Sequence, residues 1–356
     1  MACPRCNSGA WIRKGGGRAK CRNCAKTFNA PDTAAAQTRE AKHFTAAIPD
    51  TDLPTFDELL ERRAQQTRRR IGADRARELI DIALHIDGPF AIAMVGDPHI
   101  DNPSCNLDLL LAHTDLIATT PGMFGLCVGD VQDGWVGRLA RLWAHQGISA
   151  AESQVLVDGW LHRFAGKLVA LIEGNHDCWV HGVGGHSPLT WIQSHAGTVT
   201  QAHGVRLRVR TDDGQQVTIN ARHDFPGRSM YNAAHGPNKS LIFGCRDDVA
   251  VAGHTHVYGR MVSLNPETRT PMHAVRLGSY KHSDEYAHAL GLLDNNVTEC
   301  AVLMVNPHEP DPRHRTWIED NPFRAAMVLA QLRAAHEAEQ GSRRTARGAA
   351  RGRARG

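Results

Sequence analysis

Phe90-Ala91-Ile92-Ala93-Met94-Val95-Gly96-Asp97-Pro98-His99 sets six apolar residues directly before a glycine and an Asp-x-His triplet. Four more short runs follow the same plan. Residues 123–128 (MFGLCV) lead into Gly129-Asp130, and residues 168–172 (LVALI) lead through Glu173 into Gly174-Asn175-His176-Asp177. Residues 216–221 (QVTINA) lead through Arg222 to His223-Asp224, and residues 249–252 (VAVA) end in Gly253-His254-Thr255-His256. Runs this short and apolar, separated by loops and helical stretches, predict the buried strands of an α/β domain. Ligands of open α/β sheets bind beyond the carboxyl ends of the strands. Five such ends carrying Asp97, His99, Asp130, Asn175, His223, His254 and His256 therefore predict one site.

Imidazole mixed with carboxylate oxygen and no cysteine suits Mn, Fe or Zn in a reactive rather than a structural site. Seven ligands are too many for one ion and enough for two. A carboxylate shared between two ions about 3.5–4 Å apart is the arrangement used for in-line displacement at phosphorus.

The ordered set Asp97-x-His99, Gly129-Asp130, Gly174-Asn175-His176-Asp177, His223 and Gly253-His254-x-His256 resembles the calcineurin-like metallophosphoesterase family. The resemblance covers roughly residues 90–280, and the GNHD and GHTH elements are its specific parts. It implies a metallophosphoesterase-type β-sandwich flanked by helices. Asp97, His99, Asp130 and His256 would hold a first metal; Asp130, Asn175, His223 and His254 would hold a second, Mn²⁺ in first place, with Fe or Zn as alternatives. The resemblance also implies attack by a hydroxide lying between the ions, with His176 as general acid and Asp177 orienting its imidazole. One departure is visible. Many members follow the fourth-element histidine with glycine, whereas His223 precedes Asp224, so His235 is a second candidate for that ligand.

Outward from this core, Val205–Arg210 alternates apolar and basic residues, and Asp213-Gly214 turns it into residues 216–221 as a hairpin. The expected organisation is a ribbon at 1–30, a linker and helical region at 31–88, the catalytic domain at 89–320, a helix at 321–340 and a disordered Arg-rich tail at 341–356. Thr55 and Glu58 form a capping box opening a polar helix expected to run to about Leu84. Asn321-Pro322 marks the start of the C-terminal helix.

Cys3-x2-Cys6 and Cys21-x2-Cys24 have the spacing of a four-cysteine structural Zn²⁺ site. The other five cysteines, Cys105, Cys127, Cys178, Cys245 and Cys300, read as small buried hydrophobes. Histidines 113, 145, 162, 181, 186, 195 and 203 match no element and read as ordinary surface or core residues; 181 and 186 lie in a Gly-rich loop close to the GNHD element.

Net charge is +4, unevenly spread. Residues 1–31 carry Arg5, Arg13, Lys14, Arg18, Lys20, Arg22 and Lys26 and no acid, and residues 341–356 carry six arginines and no acid. The remainder holds 28 basic against 37 acidic residues, so attraction for polyanions lies at the two ends. The ribbon resembles those of DNA-acting proteins such as transposases, and the combination is similar to proteins encoded by phages or prophages. Its seven basic residues, with Trp11 and Phe28, are the candidate nucleic-acid contacts.

The expected function is a metal-dependent phosphodiesterase or nuclease acting on DNA. One alternative is a phosphomonoesterase of nucleotides or phosphoproteins localised by its ribbon; another is a non-catalytic nucleic-acid-binding protein. No apolar run is long enough to span a bilayer and no signal peptide is evident, so a cytoplasmic location is expected, in the host if phage-encoded.

Overall fold

Three short strands, β1 (Trp11–Lys14), β2 (Arg18–Cys21) and β3 (Thr27–Asn29), pair antiparallel as β1-β2-β3. In this computed structural model the described residues are 2–14, 18–29, 37–41, 44–48, 53–76, 78–184, 187, 189, 192, 196–282 and 298–353. The chain forms two units, residues 1–72 and 73–356.

In the first unit the small sheet presents Cys3, Cys6, Cys21 and Cys24 to one another. A second hairpin, β4 (Gln37–Ala41) with β5 (Phe44–Ile48), occupies part of the stretch expected to be an unstructured linker. Helix α1 (Phe56–Ala76) opens on the expected capping box: the Thr55 N–H donates to Glu58 Oε2 at 2.9 Å and the Glu58 N–H to Thr55 Oγ1 at 3.3 Å. The helix ends at Ala76 rather than near Leu84, because Ile80–Leu84 is strand β6 of the second unit. Its Ile-Asp-Ile-Ala-Leu sequence alternates, and pairing with a neighbouring strand outweighs the continuity with a polar helix.

The second unit is built on strands β7 (Phe90–Val95), β8 (Met123–Cys127), β9 (Leu168–Glu173), β10 (Val199–Ala202), β11 (Gly204–Thr211), β12 (Gln216–Arg222), β13 (Val249–Ala252), β14 (Gly259–Leu264), β15 (Pro271–Arg276), β16 (Cys300–Val305) and β17 (Thr316–Glu319). They form two six-stranded sheets, ordered β10-β9-β8-β7-β16-β17 and β14-β15-β13-β12-β11-β6. Strands β7 to β10 run parallel in the first, and β12, β13 and β15 run parallel in the second. The β11–β12 hairpin forms as expected, with Gly214 at φ 81° in its turn.

Between the sheets Phe90, Ile92 and Met94 of β7 meet Leu207, Val209, Ile219 and Val251 of the second sheet, all sealed from solvent. Burial of each large side chain there is worth about 1.5–3 kcal/mol. The opposite face of the first sheet is covered by helices α2 (Leu107–Thr119), α4 (Ala150–Arg163) and α7 (Pro322–Arg353), through Leu110, Ile117, Trp160 and Leu329. The outer face of the second sheet takes α6 (His235–Phe243) through Leu241 against Ala250 and Met272. The result is helices, sheet, sheet, helix, with both strand types in a mixed α/β fold. Two shorter helices, α3 (Trp143–Gln146) and α5 (Asn175–Gly184), stand in loops at strand ends.

Helix α7 starts as expected, with Asn321 Oδ1 accepting from the Arg324 N–H at 3.0 Å, but it continues to Arg353. In place of the disordered tail expected from residue 341, the helix runs on to Arg353, through a stretch rich in the helix formers alanine and arginine. Of the five scattered cysteines, Cys127 and Cys300 are buried, Cys105 and Cys178 half-buried, and Cys245 exposed, so the expectation of burial fails at Cys245. His186 and His195 lie outside the described residues. No described helix is long and apolar enough to cross a membrane.

Candidate metal centre

The carboxyl ends of β7, β8 and β9 from one sheet and β12 and β13 from the other supply all seven expected ligands. They fall into two groups, Asp97–His99–His256 and Asp130–His223–His254, within each of which the ligand atoms lie within 4.8 Å of one another. Asn175 joins the second group, its Oδ1 lying 2.9 Å from His223 Nε2. Asp130 Oδ2 sits between the groups, 3.1 Å from His223 Nε2 and 4.0 Å from His99 Nε2. His235 belongs to neither group; it begins α6.

The backbone is bent to make this possible. His99, Asp130, His254 and His256 have φ of 42°, 49°, 71° and 54°, four of the ten non-glycine residues in the left-handed region among those described. Such a conformation costs of order 1–3 kcal/mol and clusters at functional sites. Two glycines are sterically obligatory. A Cβ on Gly174 would stand 2.1 Å from Asp130 Oδ1, and one on Gly253 would stand 2.1 Å from Asp97 Oδ1. The glycine ahead of each histidine motif is therefore what lets a carboxylate lie against it.

The donor chemistry fits cations. His223 Nδ1 is 3.0 Å from the Val128 carbonyl oxygen, which can only accept, so Nδ1 carries a proton and Nε2 is the atom that presents a lone pair once its own proton is displaced. Around that Nε2 stand Asp130 Oδ2, Asn175 Oδ1 at 2.9 Å and His254 Nδ1 at 3.2 Å, all electron-rich. In the first group His99 Nδ1 lies 2.7 Å from Asp133 Oδ1, leaving Nε2 to face His256 Nε2 at 3.3 Å. His256 Nε2 is in turn 3.4 Å from Asp97 Oδ2. Asp97 Oδ1 is buried without a hydrogen-bond partner. Lone pairs converging in this way repel unless a proton or a metal ion lies between them.

Electrostatics set the two histidines apart. Burial pushes the His99 imidazole down to about 4, keeping it neutral as a ligand must be. At His223 burial acts downward too, but the Asp130 carboxylate overrides it and lifts the imidazole to about 10. Asp130 is held well below the usual carboxylate range: burial opposes this, and His223, His176 and His99 outweigh it.

His176 stands 14% exposed at the edge of the cluster, with Nε2 4.0 Å from Asp130 Oδ2. Its Nδ1 donates to the Asp133 carbonyl at 2.5 Å, and its ring lies 5.2 Å from the Trp135 ring and 4.4 Å from that of Trp179. The role expected of Asp177 is corrected here. Its carboxylate accepts from the Gly174 and Val131 N–H groups, at 2.9 and 3.2 Å, and tightens the turn rather than orienting His176. Burial first, and then Asp130, push the Asp177 carboxyl up to about 8.

Asp133, Lys281 and the two tryptophans were not singled out from sequence. Asp133 is fully buried, takes hydrogen bonds from Asn102 at 2.6 Å and Gln146 at 3.1 Å, and lies 3.6 Å from Lys281 Nζ. Its signal was its place three residues beyond Asp130 in the same loop; nothing in the sequence placed Lys281 there.

At the N-terminus Cys3, Cys6, Cys21 and Cys24 form one group, with Sγ···Sγ of 3.5 Å for the pairs Cys3–Cys24 and Cys6–Cys21. A tetrahedron of about 2.3 Å Zn–S bonds has edges of about 3.8 Å, so four thiolates at this spacing fit Zn²⁺. Asn7 and Ala25, each directly after the second cysteine of its pair, both take left-handed backbone at φ 56° and 58°. Arg5, Lys14, Arg18, Lys20, Arg22 and Lys26 are exposed, and the side chain of Arg13 lies outside the description. Arg22 pairs with Asp57 at 3.2 Å.

No family model matches the chain, and no curated protein matches it. Among solved structures it is similar to a nuclease, MPE, of Pseudomonas putida, at 15% identity over 64% of this chain and 87% of that one, with a TM-score of 0.30. It is also similar to the NAD nucleotidase NadN of Haemophilus influenzae, at 12% identity over 65% of this chain and 49% of that one, with a TM-score of 0.35. Likeness at this level carries no argument, and the chemistry of the site rests on its own geometry.

Proposed function

We propose that the chain is a metal-dependent phosphoesterase whose substrates are phosphodiesters of nucleic acid, with DNA the first expectation. The observation that carries this reading is Asp130 Oδ2 lying between two Asp/His groups, with His176 beside it. Asp97, His99, Asp130 and His256 would hold one divalent cation and Asp130, Asn175, His223 and His254 the other, Mn²⁺ suiting this donor set. When bound, such a pair activates water and offsets charge on the phosphoryl oxygens.

The chain's own residues do the rest. Water adds to phosphorus, the P–O bond to the leaving group breaks, and a proton reaches the departing oxygen from His176. His176 Nδ1 is committed to the Asp133 carbonyl, so Nε2 is the atom that carries this proton. Asp133 fixes the ring of His99, and Asp177 locks the turn that presents Asn175 and His176. The exposed basic residues of the ribbon and the arginines of the C-terminal end bring the polyanion to the chain, with Zn²⁺ holding the ribbon together.

The test is Mn²⁺-dependent hydrolysis of labelled single- and double-stranded DNA beside small mono- and diesters, with His176→Ala as control. Diester and DNA cleavage lost in the variant supports the reading. Monoester turnover with DNA untouched overturns it in favour of a phosphatase.

A further inference from the structure

Each sheet places an aromatic wall beside the metal centre. The first sheet supplies Trp135 and Trp179 around His176, with Lys281 Nζ 5.8 Å from the Trp135 ring centroid. The second sheet supplies a cavity of about 400 Å³ between the loops that follow β12 and β13, lined by Arg228, Met230, Tyr231, Thr255, Tyr258 and Arg276 among others. Thr255, which lines the cavity, lies between the two histidines of the GHTH element.

Arg276 fixes this cavity to the metal centre. It is 2% exposed, and its guanidinium donates to the Ala233 carbonyl at 3.0 Å and the Gly253 carbonyl at 2.6 Å and lies 2.9 Å from Asp224. These three partners belong to the cavity loop, the residue before His254 and the residue after His223. One buried cation thus holds the cavity wall at a set distance from two ligands. At the rim the contrast is sharp: Met230 is 97% and Tyr231 96% exposed, and the Tyr231 N–H donates to Ser229 Oγ at 3.1 Å. A methionine and a tyrosine so exposed beside a cavity present flat, polarisable surface that no described residue covers.

We infer that this cavity is the seat of an unpaired nucleobase next to the scissile phosphate, with Tyr231 as its stacking platform, and that the Trp135–Trp179 wall takes the nucleoside on the other side. The inference rests on the phosphoesterase reading and deepens it. A cavity of this size accepts one nucleoside-sized group. A monoester has one organic arm, whereas an aromatic pair at His176 and a cavity lined by Thr255 offer a place for each of the two arms of a diester. A base can lie flat on Tyr231 only when it is not paired, so the substrate class is single-stranded or locally unpaired nucleic acid.

The experiment compares kcat/KM for a dinucleotide or short single-stranded oligonucleotide with kcat/KM for bis(p-nitrophenyl) phosphate, in Mn²⁺, for wild type, Tyr231→Ala and Tyr231→Phe. The expected result is that the ratio falls about tenfold in Tyr231→Ala, through KM, and returns in Tyr231→Phe, as loss of one base stack requires. A ratio unchanged in Tyr231→Ala overturns the nucleobase seat while leaving the phosphoesterase standing. A ratio that falls in Tyr231→Ala and stays low in Tyr231→Phe also overturns it, because stacking needs the ring and not the hydroxyl. A wild type inert on both diesters overturns the phosphoesterase reading and the seat with it.

Discussion

His176, His223, Asp133 and Gly253 divide the work of the centre at the residue scale, and each makes a separate prediction. His176→Ala removes the proposed proton carrier, so kcat for a diester should fall about 10²–10⁴-fold. Asp133→Asn withdraws the carboxylate 2.7 Å from His99 Nδ1, and Mn²⁺ affinity measured by titration should weaken about 10–100-fold. Gly253→Ala drives a Cβ into Asp97 Oδ1 and should weaken Mn²⁺ binding in the same titration. In the metal-free protein burial lowers the His223 imidazole but the Asp130 carboxylate overrides it and holds it raised to about 10, above its ordinary 6.5. Its contribution to metal-free stability is therefore full below 6.5 and lost as pH rises through 10, so the melting temperature should fall across the upper part of that window. A metal ion must displace the same proton, so Mn²⁺ affinity should rise about tenfold per pH unit through neutrality, and this slope should disappear in His223→Asn. The seven ligands and His176 were legible in the sequence because each lies within a few residues of a strand's end. Asp133, Lys281, Trp135 and Tyr231 were not, because what qualifies them is a neighbour brought close by the fold.

At the scale of elements, the strand ends of two different sheets make one site only because the sheets face each other. The strands themselves could be read from apolar runs, and the β11–β12 hairpin from alternation and its Asp213-Gly214 turn. The pairing order could not, since β7 joins β16 across two hundred residues and no local pattern encodes that pairing. Residues 80–84 were misread as the end of a helix because a polar helix precedes them; only the neighbour β11 reveals them as a strand. The ribbon makes its own element-scale prediction. Cys21→Ser leaves three thiolates, so the ribbon should lose its Zn²⁺ and its fold while bis(p-nitrophenyl) phosphate hydrolysis continues; zinc content and diester rate report the two separately.

Across the whole molecule, a net-acidic body carries a metal centre between basic ends, so attraction to a polyanion and chemistry on it are assigned to different parts of the chain. Binding to DNA should weaken steeply with salt, and replacing Lys20 and Lys26, both exposed, with alanine should flatten the log–log slope by about one for each phosphate no longer neutralised. Turnover of a small diester should show little of this dependence. On the proposed function, Asp130 joins two metal ions into one hydrolytic centre. The direct test follows bis(p-nitrophenyl) phosphate hydrolysis as chain stripped at its Asp/His cluster is titrated with Mn²⁺, in wild type and Asp130→Asn. The rate should climb as two equivalents load and be absent in Asp130→Asn; full activity in the variant, or hydrolysis before any Mn²⁺ is added, would overturn the two-ion centre.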